Sequence, residues 1–569
     1  MEPSFLAAKF HYFLKLANKE FEDSILLILQ VPYTKVRIHK GGLMKKSGFL
    51  TVALLGFGCQ PLDRVTPPSE YVGLIRTGYF EPEINSADWR TKFISRKNAR
   101  MDLVFLDSLM TNHYAYNEAD DLDETAVLHF IAEELPERMQ IGDFAMQLQK
   151  ALALSIDGHA PRIAGVNAVG ERERIEDNPP GQHYFPFELR STGSRIVAFD
   201  GVNRTMIDSE HPYVSAIDGS EVSEWIEVAQ SIIVKGTPQL RWHRGARQLA
   251  NIGFLRMEMN RGLSQAALVL FENEDGSSQV EKTVELVGIS VEARERYPFV
   301  EDAVARVPGD IAYFRMRRME SDPDYISGFA QWIQGSRDAL GAIVDIRDNG
   351  GGSRLPLLTL LPHLLSADAE PVVVNAGRLK LRPGCPGSGC ETPEEGYLAN
   401  RFMLPIRAIP KGTPQRAALE KWLPAFAPDW TPPEEGFSDW HYLIVEPDLE
   451  PVFAEKPVII LMNNGNFSAS DIFLSALKGQ EGVTLMGTAS SGGSARQNEH
   501  ILPGSDLAVR LASMASFQAS NSRLYDGVGI EPDIHMEPEP GFFVNESDLI
   551  LERAVRLIRE SATGKDIGR

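Results

Sequence analysis

Cysteine is almost missing from this chain: three occur among 569 residues, at positions 59, 385 and 390. No Cys/His spacing fits a zinc site and no Walker-type glycine loop fits a nucleotide phosphate, so neither a metal nor a cofactor is expected. Positive charge is scarce as well. Lys and Arg number 57 against 78 Asp and Glu, which leaves a formal net charge of −21. A nucleic-acid partner needs a basic surface that displaces counterions, and this balance argues against one. Internal repeats are also lacking. What is present is the composition of an ordinary soluble protein, 43% hydrophobic and 24% charged. A chain of this length outgrows a single core, which points to roughly two to four domains.

The stretch "MKKSGFLTVALLGFGCQPLD", Met44 to Asp63, joins two lysines, an apolar run from Phe49 to Gly58, and Cys59. This is the layout of a bacterial secretory signal, and its run of about ten apolar residues falls short of the roughly 20 a bilayer span requires. A cysteine directly after the run resembles a lipoprotein signal, with Cys59 as the lipid-carrying residue, although Gly56 stands where such signals usually have Leu. The expected start is Met44, with 1–43 an over-long extension, 44–59 the signal and 60–86 a proline-containing linker. Cys385 and Cys390 then remain in "RPGCPGSGCETP", a loop able to fold back on itself. In the oxidising cell envelope a disulfide between them is expected. The membrane would be touched only through the lipid anchor.

From 87 to 160 apolar residues recur at helical spacing in "ARMDLVFLDSLM", "DETAVLHFIAEEL" and "IGDFAMQLQKALAL". Gly158, in "SIDGHAPRI", is placed like a helix C-cap. Between 161 and 300 the signal changes to short alternating runs with Gly and Asp at the turns, including "RIVAFDG", "YVSAIDG", "PQLRWHR" and "AALVLFENEDG". One helical segment, "SEVSEWIEVAQSIIV", interrupts them. Strand, "IDG" turn, helix and then the strand "TPQLRWHR" resemble a PDZ module, which takes peptides by strand addition. From 305 to 569 strands and helices alternate, which implies crossover connections and a largely parallel sheet. An insertion at about 380–450, rich in Pro, Trp and Glu, could cover a cleft.

Two serines stand close together in "NNGNFSASDIF", between an apolar strand and a helix. Ser468 opens that helix, where free N–H groups and the positive dipole end could meet a developing oxyanion. With Asp471 three residues on, it equally fits an inert helix cap. In "VDIRDNGGGS" a strand runs into three glycines, whose backbone can approach a ligand closely.

The four stretches "VDIRDNGGG", "NFSASDI", "LMGTASSGG" and "DGVGIEPDI" occur in the order and spacing of the C-terminal processing and tricorn-core serine peptidases. The resemblance covers about 305–569 and, more loosely, the segment ending in "DGHA". It implies a ClpP/crotonase-like α/β core. In the Ser–Lys branch of that family a lysine follows the strand read here as "VTLMG", and the aligned residue is Gly493. Arg496 stays protonated and cannot replace it, and Lys478 does not match the spacing.

The tricorn-like branch uses a histidine after the helical region and an acid before the "GxxPD" motif. The resemblance thus implies Ser468 as nucleophile, His159 as general acid/base and Asp526, where Glu is commoner, as the orienting acid. The N–H of Ala469 and that of Gly351 or Gly352 would form the oxyanion hole, with Ser470 left as a small packing residue. The implied substrates are polypeptides. A rival reading is a non-catalytic protein on the same fold that holds an apolar ligand or a peptide, with the Trp-bearing insertion as its cavity.

Overall fold

The runs "AIVD" and "VIILM" are buried at every residue, as strands covered on both faces must be. In a computed structural model they form the middle of a five-stranded parallel sheet. Its strands are β1 (Ala312–Arg315), β2 (Ala342–Asp345), β3 (Val458–Met462), β4 (Val483–Gly487) and β5 (Ile534–His535), laid side by side in chain order. The structure describes residues 80, 88–119, 124–159, 162–167, 170–177, 179–288, 300–381 and 398–562. Met44, the signal, Cys59, Cys385 and Cys390 lie outside them. No helix among the described residues is long and apolar enough to cross a membrane.

Side chains of a strand alternate between faces, so each strand feeds two cores. Val344, Ile460 and Met462 pack against Phe329, Ile333 and Phe473 on one side. Ile343, Ile459 and Leu461 meet Leu551, Ala554 and Ile558 of the C-terminal helix on the other. Charge locks that second contact. Arg347, 1% exposed, bonds Asp345 at 2.9 and 2.6 Å and Asp548 at 3.0 and 2.8 Å. Asp548 also accepts from the N–H of Leu551, so one ion cluster ties the end of β2 to the start of the last helix.

Three expectations change. "PQLRWHR" is helical, within Pro238–Gln248, because Thr237 caps it by accepting from the Leu240 N–H and proline suits a first helical turn. Gly158 does not cap a helix: Ile141–Leu152 ends six residues earlier, and Gly158 sits in a turn packed against the Gly492 carbonyl. Val372–Leu379 leaves the parallel sheet and pairs antiparallel with His441–Val445 and Met514–Gln518. The insertion thus supplies a strand as well as surface. Its Trp422, Phe426 and Trp440 stack on one another and on Phe517.

The β-rich region contains an antiparallel sheet through Glu188–Thr192, Arg195–Asp200, Tyr213–Ile217, Ala266–Glu272 and Gln279–Glu285. Its neighbour strand Arg162–Val166 goes elsewhere, pairing with Ala508–Ala512 of the α/β region. That pairing matters for chemistry, since the turn holding His159 immediately precedes Arg162.

Candidate active site

Ser468 stands at the corner between β3 and the helix Ala469–Leu477, with φ 62° and ψ −120°. A non-glycine residue in that region carries of the order of 1–3 kcal/mol of strain and needs firm support. The support is a hydrogen-bonded loop. Asn466 donates to the Ile346 carbonyl and accepts from the Asn463 N–H. Asn463 in turn binds the Asp348 N–H. The Ser468 hydroxyl makes no side-chain cap bond. Its Oγ instead lies 2.9 Å from Nε2 of His159, 309 residues away in sequence.

His159 is set by its own turn, where its N–H donates to Asp157 Oδ1, and by the ring of Phe467, stacked at 5.1 Å and 15°. Burial pushes the imidazole down to about 3, helped by Arg162, Arg244 and Arg401, so it is neutral at ordinary pH. A Cβ on Gly493 would lie 2.6 Å from the Phe467 ring.

Asp526 does not bond the imidazole. Nδ1 faces the side-chain amide of Gln497 at 2.5 Å, and that amide also donates to the His159 carbonyl at 2.7 Å. With the amide nitrogen toward Nδ1, the ring proton rests on Nε2. The other neutral tautomer, protonated on Nδ1, leaves Nε2 free to accept the serine proton. Asp526 lies behind, accepting from Tyr116 Oη at 2.7 Å and the Ser494 N–H at 3.3 Å. Burial raises its carboxyl to about 6 against bonds from Tyr116 and the N–H groups of Ser494 and Gly158, so it braces the turn that carries the histidine. Asp471 is buried too. Burial lifts it to about 8, despite bonds from Ser490 and the Gly492 N–H.

The glycine loop also departs from expectation. The Gly351 N–H is taken by Asn349 Oδ1 at 2.9 Å. Among the described residues no acceptor takes the N–H of Gly352 or of Ala469. Both glycines have positive φ, 94° and 140°, and a Cβ would strike the Phe467 carbonyl at 2.5 Å or that of Met319 at 2.2 Å. Ser470 is more than packing: its hydroxyl donates to Asn349, joining the helix that follows Ser468 to the loop. Sequence reading missed Tyr116, Gln497 and Asn349. Only Asn349 carried a local signal, an amide directly before a glycine triplet.

A cavity of about 980 Å³ opens beside this corner, at the upper end of the usual size for ligand sites. Phe467 and Gly350 line one wall, and Arg244 and His243 of the helix Pro238–Gln248 another. Among the described residues no group of His, Cys, Asp or Glu is placed to hold a metal ion.

A serine hydroxyl bonded to an imidazole, with free N–H groups at the adjoining helix start, is the pairing on which serine hydrolases are built. Residues 310–536 match the model of Peptidase family S41, and the chain is similar to the C-terminal processing serine peptidases. It is similar to a carboxy-terminal-processing protease of Bartonella bacilliformis, 39% identical over 84 residues, 15% of this chain and 19% of that protein. The matched stretch thus spans about a fifth of that relative's length. Its fold is similar to that of mature CPAF complexed with lactacystin, with a TM-score of 0.55 and 17% identity over 82% of this chain and 99% of the other. Mature CPAF alone gives 0.54 and 16% over 83% and 98%.

Proposed function

We propose that this chain is a serine peptidase that hydrolyses polypeptides through an acyl-enzyme. The observation that carries the reading is the 2.9 Å approach of His159 Nε2 to Ser468 Oγ. Oγ attacks the scissile carbonyl carbon while Nε2 takes its proton. The oxyanion that forms is met by the N–H groups of Ala469 and Gly352. The C–N bond breaks as His159 returns the proton to the leaving amine, and water then repeats the sequence in reverse roles on the ester.

Gln497 holds the imidazole in place through contacts with Nδ1 and with the His159 carbonyl. Asp526 acts through Tyr116 and the turn at Gly158 rather than by contact. The core is ClpP/crotonase-like, and the antiparallel region is a PDZ-like peptide-receiving domain. The envelope location, with Cys59 as lipid site, belongs to the same proposal, and the mass of the native N-terminus tests it.

A fluorophosphonate probe decides between turnover and mere binding. Labelling of the folded wild type that Ser468→Ala abolishes is the expected result. A folded, unlabelled wild type would leave the apolar-ligand reading instead. The stacking of the insertion's aromatics on one another weighs against that reading, since it leaves them little free surface.

A further inference from the structure

Arg244 lines the cavity without an ion-pair partner among the described residues. Its neighbours are paired: Arg162 with Glu176 at 3.1 Å, Arg174 with Asp177 at 2.7 Å, and Arg190 with Glu188. Among the described residues no carboxylate lies within ion-pair distance of the Arg244 guanidinium, which stands 5.3 Å over the ring of Phe467. Phe467 is both the residue before the nucleophile and the ring stacked on His159. A half-buried, unpaired guanidinium is costly to keep, and its planar fork of donors matches a carboxylate.

We infer that Arg244 forms a subsite that binds a carboxylate of the polypeptide substrate next to the scissile bond, so that acidic substrates are preferred. The inference rests on the peptidase reading for its substrate class. Burial, then Arg162 and its other arginine neighbours, press on the charge of Arg244, lowering it to about 10, with Glu176 the one opposing carboxylate. An incoming carboxylate relieves that pressure. It also screens one of the arginines that hold the His159 imidazolium down, so a bound acidic substrate makes the base stronger as it arrives.

The test is binding to the Ser468→Ala protein, which needs no turnover. Labelled peptides would differ only as Glu or Gln near the cleavage point, each with a free or an amidated C-terminus, and anisotropy would give their affinities. Carboxylate-bearing peptides are expected to bind roughly tenfold or more tightly than their neutral twins, the usual worth of a charged hydrogen bond. The Glu/Gln pair and the acid/amide pair show which carboxylate is read. Adding Arg244→Gln should bring each pair within about twofold. Arg244→Glu should turn the preference toward lysine-bearing peptides, a gain that misfolding cannot mimic. Equal binding of charged and neutral peptides, or a preference that survives Arg244→Gln, overturns the subsite. Cleavage by the wild type is scored separately: turnover without preference sinks only the subsite, and preference without turnover sinks only the peptidase.

Discussion

Two carboxylate clusters lie buried in this fold, and they are opposites. At the end of β2, Asp345 would be raised by burial, but Arg347 and Arg315 hold it at about 2. Near the serine no cation among the described residues pairs with Asp471 or Asp526, and burial lifts them to about 8 and about 6. The first cluster is a permanent ion lock between a strand and a helix. The second keeps carboxyls poised to exchange protons near neutrality, as sites of acid–base chemistry commonly do. Burial is shared, so the difference comes from the presence or absence of a fixed counter-charge.

Removing the cation from the lock should have the largest effect. Arg347→Ala leaves Asp345 and Asp548 buried without a partner, and urea unfolding should show a loss of about 3–5 kcal/mol. Asp526→Asn should cost peptide hydrolysis about ten- to a hundredfold at pH 8, less than for an acid in direct contact with its histidine. In the wild type, activity should fall as pH drops through about 6, where Asp526 gains its proton. That limb should vanish in the Asn variant, because His159 stays neutral down to about 3. A limb that persists assigns the titration elsewhere. Gln497→Leu removes the amide that holds the His159 ring and carbonyl and should lower kcat by roughly tenfold with little change in KM.

The smallest effect concerns stability, where the two clusters should tilt the pH profile in opposite senses. Asp345 is depressed below 3.8, so its contribution is present above that value and fades as pH falls through about 2. Asp471 is raised above 3.8, so its contribution is full below that value and fades as pH rises through about 8. Asp471→Asn should therefore flatten the melting-temperature profile between pH 6 and pH 9, a change on the order of 1 kcal/mol.

Much of the fold could be read from pattern. Continuous apolar runs marked β2 and β3, and the helical spacing of "ISGFAQWI" marked the helix Pro323–Gly335. The helix Pro238–Gln248 was missed because its surface is Arg, His and Gln, which left the Thr-Pro start as its main signal. The placement of Val372–Leu379 depends on partners from an insertion, and no local pattern carries that. In the site, Ser468 and His159 were reached through ordered motifs rather than chemistry in sequence. Tyr116 and Gln497 could not be reached at all. They stand 410 residues from Asp526 and 338 from His159, brought in by strand pairing and helix packing alone.

The pairing of Arg162–Val166 with Ala508–Ala512 also sets a clock on assembly of the site. During synthesis the imidazole emerges first, and the hydroxyl follows 309 residues later. At about 5–20 residues per second the wait is roughly 15–60 s. The strand that draws them together is made later still. On the proposed function, a nascent chain carries half of the Ser–His pair with no means of cutting itself or its neighbours, and reactivity would arrive only once nearly the whole protein has been made and folded.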